Sequence, residues 1–276
     1  MRVLNEHTDV AGFFERMPAA RERILMLDYD GTLAPFHPRP HMAYPYPEVT
    51  RTLDHLMRDG RTRVVIISGR RAEEIMPLLR LARQPEIWGA HGWERLSPAG
   101  DFSVREVGAQ ESALLDRAHE AAQGAIEFGA RLERKPASIA LHWRGLPLIK
   151  RLKTQAWINA VWEPLTHEGG QPPSADAPPG GLELQPFNGG LEILVRGHRK
   201  GYAVRQVLED VLTQEPSAAI AYLGDDITDE EAFMEVRPHG LAVLVRERLR
   251  DTNANLWIRP PHELRSFISH WCRIPS

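Results

Sequence analysis

Four short apolar runs recur along the chain, and each ends in a polar turn. They are ILMLDY at 24–29, RVVIIS at 63–68, AIAYLG at 219–224 and LAVLV at 241–245. Continuous Val/Ile/Leu-rich runs of this length, alternating with helical segments, are typical of a parallel sheet that is covered on both faces. Ligands of such sheets bind beyond the carboxyl ends of the strands. The pattern therefore predicts an α/β domain with its functional site at that edge.

The middle of the chain has a different pattern. Residues 111–129 place apolar side chains at helical spacing, 130–144 form two β-rich halves around a Lys-Pro-Ala-Ser turn, and 147–165 are helical again. A helix, a hairpin and a second helix cannot belong to the parallel sheet. We therefore predict a separate α+β lobe inserted at 107–188.

This insertion leaves a discontinuous core. The predicted α/β core consists of residues 1–106 and 189–276. Glycine and proline crowd together at 168–190, so this stretch reads as a loop that contains at most one short strand.

Composition narrows the classes of function. The 276 residues contain 34 Lys and Arg against 37 Asp and Glu, and a net charge of −3 gives no overall attraction to nucleic acid or to an acidic membrane. Cys272 is the only cysteine, which excludes an internal disulfide and suits a reducing compartment. No apolar run approaches the ~18 residues of a membrane span. We expect a cytoplasmic protein that binds neither nucleic acid nor membrane.

Polar residues that follow the apolar runs form a candidate site at one edge of the sheet. In chain order they are Asp28, Asp30, Ser68, Arg70, Lys200, Asp225, Asp226 and Asp229. Several carboxylates in one cleft repel one another unless a cation lies among them. Carboxylate ligands without His or Cys favour Mg²⁺ over zinc. A magnesium ion, a lysine and a serine hydroxyl around a spare carboxylate suit phosphoryl transfer.

The residue types also suggest the role of each residue in such a reaction. Asp28 is the natural nucleophile, because an aspartate can form an aspartyl-phosphate and divide the reaction into two easier steps. Asp30, two residues on, would protonate the leaving oxygen and later deprotonate the hydrolytic water. Gly31 allows a sharp turn, and the Thr32 hydroxyl can brace it.

The order of these motifs resembles that of a known superfamily. An Asp-x-Asp-Gly-Thr turn, a strand-end serine, a lysine ahead of a helix and a Gly-Asp-Asp-x-x-Asp turn follow one another as in the haloacid dehalogenase superfamily of phosphatases. The resemblance implies a Rossmann-like α/β core, with a parallel sheet flanked by helices, plus an inserted α+β cap domain.

The resemblance also implies site roles. Asp28 is then the nucleophile and Asp30 the general acid/base, while Ser68 and Lys200 hold phosphoryl oxygens. The implied Mg²⁺ ligands are Asp28, the backbone carbonyl of Asp30, Asp225 and, as further ligands or support, Asp226 and Asp229. Asp226 and Asp229 also fit as helix N-terminal caps, so their contact with metal stays open.

Further segments are similar to trehalose-6-phosphate phosphatases. They are Ile67–Arg70, Gly89–Glu94, Leu132–Lys135 with Ala140–Arg144, Glu192 ahead of Arg196–Gly197 and Lys200–Gly201, and Gly224–Glu230. The similarity implies a Mg²⁺-dependent phosphatase that hydrolyses trehalose 6-phosphate, with a cap that closes over the core and grips the distal glucose. The implied substrate-binding residues are Arg70, Glu133, Lys135, His142 and, near the hinge, Glu192.

Other readings remain open from the sequence. The same chemistry could act on another glycosyl phosphate, such as a sucrose phosphate or a glycosylglycerate phosphate, or serve a phosphomutase. The non-enzyme alternative is a module that binds a sugar phosphate beside a synthase. Under the leading interpretation, a functional link to a trehalose-6-phosphate synthase is expected. Glu133, Lys135 and His142 could instead form a solvated strand face.

Overall fold

The chain divides into two units. The structure is a computed structural model and describes residues 1–168, 180–197 and 199–274. The first unit comprises Met1–Ser103 and Arg199–Ser276, and the second comprises Val104–His198. The second boundary thus follows residue 198 rather than 188. The reason is that strand Gly190–Val195 is hydrogen bonded into the sheet of the inserted unit.

The elements alternate between strands and helices. The strands are β1 (Arg2–Val3), β2 (Arg23–Leu27), β3 (Thr62–Ile67), β4 (Glu86–Gly89), β5 (Glu94–Leu96), β6 (Phe102–Val104), β7 (Arg131–Lys135), β8 (Ser138–His142), β9 (Leu182–Phe187), β10 (Gly190–Val195), β11 (Ala219–Gly224), β12 (Gly240–Val245) and β13 (Leu256–Ile258). The α-helices are α1 (Val10–Arg16), α2 (Pro47–Asp59), α3 (Ala72–Leu79), α4 (Ala109–Ala122), α5 (Leu148–Trp162), α6 (Lys200–Gln214), α7 (Glu230–Val236) and α8 (His262–Arg273).

The first unit is built on a nine-stranded sheet. Its strand order is β1-β13-β12-β11-β2-β3-β4-β5-β6. The strands from β13 to β4 pair in parallel, whereas β1 and β5 pair antiparallel at the two sides. The four apolar runs of the sequence are the adjacent strands β12, β11, β2 and β3. The predicted α/β fold with a mostly parallel sheet is therefore confirmed.

Strand β2 shows why these runs are apolar without interruption. Its side chains alternate between the two faces of the sheet, as strand geometry requires. Leu25 and Leu27 belong to an apolar cluster with residues of α2, α3 and α8. Ile24 and Met26 belong to a second cluster, with residues of α6 and α7. All four side chains are fully buried, so helices cover both faces.

The second unit contains a four-stranded antiparallel sheet in the order β7-β8-β10-β9. The predicted hairpin is present, with Lys135 opposite Ser138 across a two-residue turn. One face is apolar: Ile139, Leu141 and Ile193 are fully buried. Helix α4 lies against this face and packs on α5. The opposite face is left for polar side chains.

Two further expectations concern the glycine- and proline-rich stretch and membranes. Within 168–190, β9 is a six-residue strand and β10 begins at Gly190, while residues 169–179 lie outside the described residues. Among the described residues, no helix combines the length and apolar character needed to cross a bilayer.

Candidate active site

Three neighbouring strands of the first unit bring the predicted core residues to one edge. Leu27, the last residue of β2, lies in register with Ile66 of β3 and with Leu223 of β11. Asp28, Ser68 and Asp225 are the first residues beyond their strands. Because parallel strands end at the same edge, these side chains are presented together.

A glycine allows two acidic loops to approach each other. Gly31 has a φ of +89°, and a Cβ atom on it would lie 2.2 Å from Oδ2 of Asp225. Any side chain at this position would force the loops apart. The neighbouring Thr32 donates its hydroxyl to Oδ2 of Asp28 at 3.2 Å, which braces the turn as the sequence suggests.

The centre of the site is a cluster of three buried carboxylates. Asp28, Asp225 and Asp229 each offer an oxygen within 4.8 Å of the other two. Lys200, at the first turn of α6, donates to Oδ1 of Asp28 at 2.6 Å and to Oδ1 of Asp229 at 2.8 Å. When all are ionised, the three carboxylates and the ammonium carry a net charge of −2. Oδ1 of Asp225 is buried, and no group among the described residues donates a hydrogen bond to it. These residues fit a divalent cation with oxygen ligands.

The pKa values of Asp28, Asp225 and Lys200 reflect the same excess of negative charge. Burial raises the pKa of Asp28 to about 7, although the Lys200 ammonium acts in the opposite direction. Burial, with Asp28 and Asp229 nearby, raises the pKa of Asp225 well above its ordinary value. Burial lowers the pKa of Lys200, but Asp229 and Asp28 outweigh it and the net shift is upward. A cation among the carboxylates favours their ionised forms.

Asp229 organises the loop that carries Asp225. Its Oδ1 accepts from Lys200 and, at 2.5 Å, from the hydroxyl of Tyr222. Its Oδ2 accepts from the backbone N–H groups of Asp225 at 3.0 Å and Asp226 at 2.9 Å. Both oxygens are therefore held by the protein itself. Sequence reasoning missed Tyr222, although a tyrosine inside the apolar run AIAYLG is a visible signal.

Asp226 has a different position from the other acidic residues. Its Oδ1 accepts from the backbone N–H of Ile227 at 2.8 Å, and it forms a capping box with Asp229 at the start of a short 3₁₀ turn. Its carboxylate is not among the three that converge. Arg250 donates to its backbone carbonyl at 2.7 Å. The cap role considered in the sequence analysis describes the contacts of Asp226.

Asp30 is paired with Arg70. The guanidinium donates from Nε to Oδ2 of Asp30 at 2.5 Å and from Nη2 to Oδ1 at 2.7 Å. Arg70 also donates to the backbone carbonyl of Pro40 at 3.0 Å and lies over the ring of Tyr29. In this structure Arg70 orients the carboxylate of Asp30. The contact with substrate that the resemblance implies for Arg70 stays a prediction.

The predicted residues of the second unit share the polar face of its sheet. The register places Glu133, Ala140, Glu192 and Gln185 in one row across β7, β8, β10 and β9. Side chains two residues apart on a strand share a face. Lys135, Ser138 and His142 therefore belong to the same face. Glu192 lies in the middle of this sheet, on β10.

This face contains a buried ion pair and a partly buried contact between a histidine and a carboxylate. Lys135 donates to Oε1 of Glu192 at 3.0 Å, and the hydroxyl of Ser138 donates to the same oxygen at 2.5 Å. His142 contacts Oε2 of Glu133 through Nε2 at 2.8 Å. Burial raises the pKa of Glu133, but the hydrogen bond from His142 and the charge of Lys135 outweigh it and set the pKa at about 2. Burial also lowers the pKa of His142, despite its bond to Glu133.

Gln185 is a polar residue of this face that sequence reasoning missed. Its side chain is only 5% exposed, and its Oε1 is buried without a hydrogen-bond partner among the described residues. It lies directly opposite Glu192. The glycines and prolines around it predict a loop with at most one short strand, and β9 is a short strand within this stretch. The alternation in Leu-Glu-Leu-Gln-Pro-Phe was the signal for a strand.

Comparisons with known sequences point in one direction. A family model described as trehalose-phosphatase matches residues 26–256. A trehalose-phosphate phosphatase of Mycobacterium ulcerans is 31% identical over 232 residues, which are 80% of this chain and 53% of that protein. A bifunctional trehalose-6-phosphate synthase/phosphatase of Thermoproteus tenax is 29% identical over 227 residues, 79% of this chain and 28% of that protein. The chain thus spans about half the length of the mycobacterial relative.

Solved structures resemble the fold. The C-terminal domain of a Candida albicans trehalose-6-phosphate phosphatase has a TM-score of 0.81 at 17% identity, and the match covers 99% of both chains. A haloacid dehalogenase-like hydrolase from Bacillus subtilis has a TM-score of 0.60 at 15% identity and covers 90% of this chain and 99% of that one. At these identities the likeness shows the fold alone.

Proposed function

Because the chain belongs to the trehalose-phosphatase family, we propose that it hydrolyses trehalose 6-phosphate to trehalose and inorganic phosphate. One observation carries the proposal. Asp28 is buried beside Lys200 within a cluster of carboxylates whose charge is not balanced by the protein. A carboxylate held ionised at a cation site is the arrangement that an aspartyl-phosphate mechanism needs.

The first half of the reaction is assigned to Asp28. An oxygen of Asp28 attacks phosphorus, the new Asp28 O–P bond forms, and the bond between phosphorus and O6 of trehalose breaks. Lys200, 2.6 Å from Oδ1 of Asp28, stabilises negative charge on the transferred group. The Ser68 hydroxyl, at the end of the neighbouring strand, binds a second phosphoryl oxygen.

We assign the proton transfers to Asp30. It protonates the leaving O6 in the first half and accepts a proton from the attacking water in the second, when the acyl phosphate is hydrolysed. In this structure Arg70 occupies both oxygens of Asp30. Proton transfer therefore begins with the loss of at least one of these hydrogen bonds.

The cation is proposed to be Mg²⁺. Asp28, Asp225 and the backbone carbonyl of Asp30 would hold it, with Asp229 shaping the loop and Asp226 capping the next turn. Hard carboxylate and carbonyl oxygens suit this ion. When bound, it supplies charge neutralisation and Lewis-acid polarisation of a phosphoryl oxygen.

The polar face of the second unit is proposed to bind the sugar. A disaccharide presents many hydroxyl groups, and hydrogen bonds from charged partners to them are strong and directional. The proposed sugar-binding residues are Glu133, Lys135, His142, Glu192 and, in addition, Gln185. Gln185 supports this assignment because its buried oxygen has no protein partner among the described residues.

We also propose a functional link to a trehalose-6-phosphate synthase and a cytoplasmic location. The name of the Thermoproteus tenax relative, which joins the two activities, supports the first proposal. A single cysteine in 276 residues suits the second.

A substrate panel tests the function. The purified chain with Mg²⁺ is assayed for phosphate release from trehalose 6-phosphate, sucrose 6-phosphate, a glucosylglycerate phosphate and glucose 6-phosphate. We expect the highest kcat/KM with trehalose 6-phosphate. A higher kcat/KM with another sugar phosphate would contradict trehalose 6-phosphate as the substrate but would still support the proposed phosphatase mechanism. No phosphate release from any ester would overturn the proposed function.

A further inference from the structure

The turn that follows β4 has a backbone that side chains rarely adopt. Three consecutive residues, Ala90, His91 and Gly92, have φ values of +48°, +59° and +100°. For Ala90 and His91, which are not glycine, this backbone conformation is strained. Such strain persists only where the surroundings hold it. Ala90 and His91 are buried, so the packing around them determines the conformation.

The backbone of this turn is hydrogen bonded to the loop that begins at Ser68. The N–H of Ser68 donates to the carbonyl of Trp88 at 2.9 Å, and the N–H of His91 donates to the carbonyl of Ser68 at 2.9 Å. The N–H of Ala90 donates to the carbonyl of Arg70 at 2.6 Å. These hydrogen bonds from the strained turn fix the backbone of the segment that carries Ser68 and Arg70.

The carboxylate of Glu94 holds the residues that directly follow Arg70 in the chain. Its side chain is fully buried, Oε2 accepts from the backbone N–H of Ala72 at 2.7 Å, and Oε1 accepts from Nε of Arg71 at 3.1 Å. Ala72 is the first residue of α3, and its N-cap residue Arg71 makes no capping hydrogen bond of its own. Glu94 thus caps α3 from another strand, where a negative charge is favoured.

We propose that Glu94 is a positioning residue for the acid/base carboxylate. Glu94 fixes Arg71 and Ala72, these fix the adjacent Arg70, and the Arg70 guanidinium holds both oxygens of Asp30. The inference rests on the proposed function, since Asp30 matters only if the chain transfers phosphoryl groups. Glu94 itself acts only through Arg70.

The test is a double-mutant cycle with a matched control. Glu94→Gln keeps the size of the side chain and removes its charge. Glu86→Gln does the same to a carboxylate that is equally buried and accepts from Arg63, Trp88 and Arg95 at the amino end of β4. kcat and KM are measured on the best phosphate ester of the wild type, together with the thermal midpoint of each variant.

We expect Glu94→Gln to lower kcat by about 10- to 100-fold, the effect of a small misplacement of a reacting group, with little change in KM. Glu86→Gln should keep kcat within about twofold, since it lies away from the site. Because Glu94 acts through Arg70, the double variant Arg70→Gln/Glu94→Gln should have the same kcat as the single variant Arg70→Gln. Multiplicative losses in the double variant would overturn the inference, as would a wild-type kcat in Glu94→Gln.

A second variant keeps the question answerable if Glu94→Gln does not fold. Glu94→Asp retains the charge but shortens the reach to Ala72 and Arg71. A kcat reduced at a wild-type thermal midpoint supports the inference, and an unchanged kcat contradicts it. A wild type that releases no phosphate from any ester rejects the proposed function instead, which separates the two failures.

Discussion

The acidic cluster of the first unit and the polar face of the second both gather charged side chains, but the polar face is only partly buried and the two differ in how charge is balanced. Among the described residues around Asp28, three carboxylates face one lysine, and an oxygen of Asp225 has no hydrogen-bond partner. On the polar face, Lys135 pairs with Glu192 and Arg131 pairs with Glu133. The first group needs an external cation, whereas the second is balanced by its own residues.

Under the proposed function, this difference assigns the phosphoryl transfer to the first group and sugar binding to the second. A buried group with excess negative charge lowers its free energy by binding a cation, and the bound cation is then available for catalysis. A balanced group can exchange hydrogen bonds with neutral hydroxyls without a change of charge. We therefore expect substitutions in the first group to act on kcat and substitutions in the second to act mainly on KM.

The largest effect is expected for Asp28→Asn. Loss of the nucleophile should lower kcat by about 10⁴-fold or more, as with other covalent catalysts. Phosphate release at saturating trehalose 6-phosphate measures it. Asp226→Asn is the control, because its carboxylate caps a turn outside the cluster, and it should retain more than about a tenth of the activity. Substantial turnover by Asp28→Asn would contradict the mechanism.

Metal removal should be the next largest effect. A chelator should abolish phosphate release, and added Mg²⁺ should restore it. Binding to the folded state also raises stability, by about 2.7 kcal/mol at a concentration 100 times the Kd. Mg²⁺ should therefore raise the thermal midpoint of the wild type but not that of Asp225→Asn. A midpoint that does not respond to Mg²⁺ would show that the cluster binds no such ion.

Removing one partner of the Lys135–Glu192 ion pair on the polar face should lower the free energy of unfolding and raise KM. Lys135→Met leaves Glu192 buried without its ammonium, and breaking a buried pair typically costs about 3–5 kcal/mol. The double variant Lys135→Met/Glu192→Gln removes both charges. We expect it to recover stability in urea unfolding but to keep a KM raised by about tenfold or more. Recovery of KM along with stability would show that the pair is purely structural.

The pH dependence of stability should report on Glu133 of the polar face. Since the pKa of Glu133 is about 2 against an ordinary 4.5, ionised Glu133 stabilises the folded chain fully above pH 4.5. This contribution, at most about 3 kcal/mol, is lost as the pH falls from 4.5 toward 2. The gap in urea midpoint between wild type and Glu133→Gln should narrow over this range. The exposed Glu127→Gln should show no such narrowing.

Gln185→Leu should have the smallest effect. The buried amide oxygen of Gln185 has no hydrogen-bond partner in the described part of the chain. Removing the amide should therefore leave stability equal or slightly higher, while KM rises by about two- to tenfold. Thermal midpoints and kcat and KM on trehalose 6-phosphate measure both. A lower midpoint with an unchanged KM would assign Gln185 to the fold and not to the sugar.

Much of the fold and the catalytic motifs could be predicted, because these depend on local sequence. Apolar runs mark the buried parallel strands, and Asp28, Ser68 and Asp225 directly follow them. The later boundary could not be read in the same way. Residues 190–195 include an apolar run like those of the core, although they pair antiparallel in the inserted unit.

Contacts between distant segments account for the rest. The pairing of Arg70 with Asp30 and of Tyr222 with Asp229 depends on how loops approach one another and on side-chain rotamers. Periodicity and motif order carry no information about either. Gln185 was missed for a related reason, since its burial depends on the strand that lies opposite it and not on its own segment.

The discontinuity of the first unit has a consequence for biosynthesis. Strand β2 needs β11 as a neighbour, and β11 lies beyond the whole inserted unit in the chain. The inserted unit is continuous and can fold while it leaves the ribosome, whereas the central sheet must wait for its late strands. Asp28 therefore leaves the ribosome well before Lys200 and Asp225. The repulsive acidic cluster forms only once β11 and the residues that follow it have emerged.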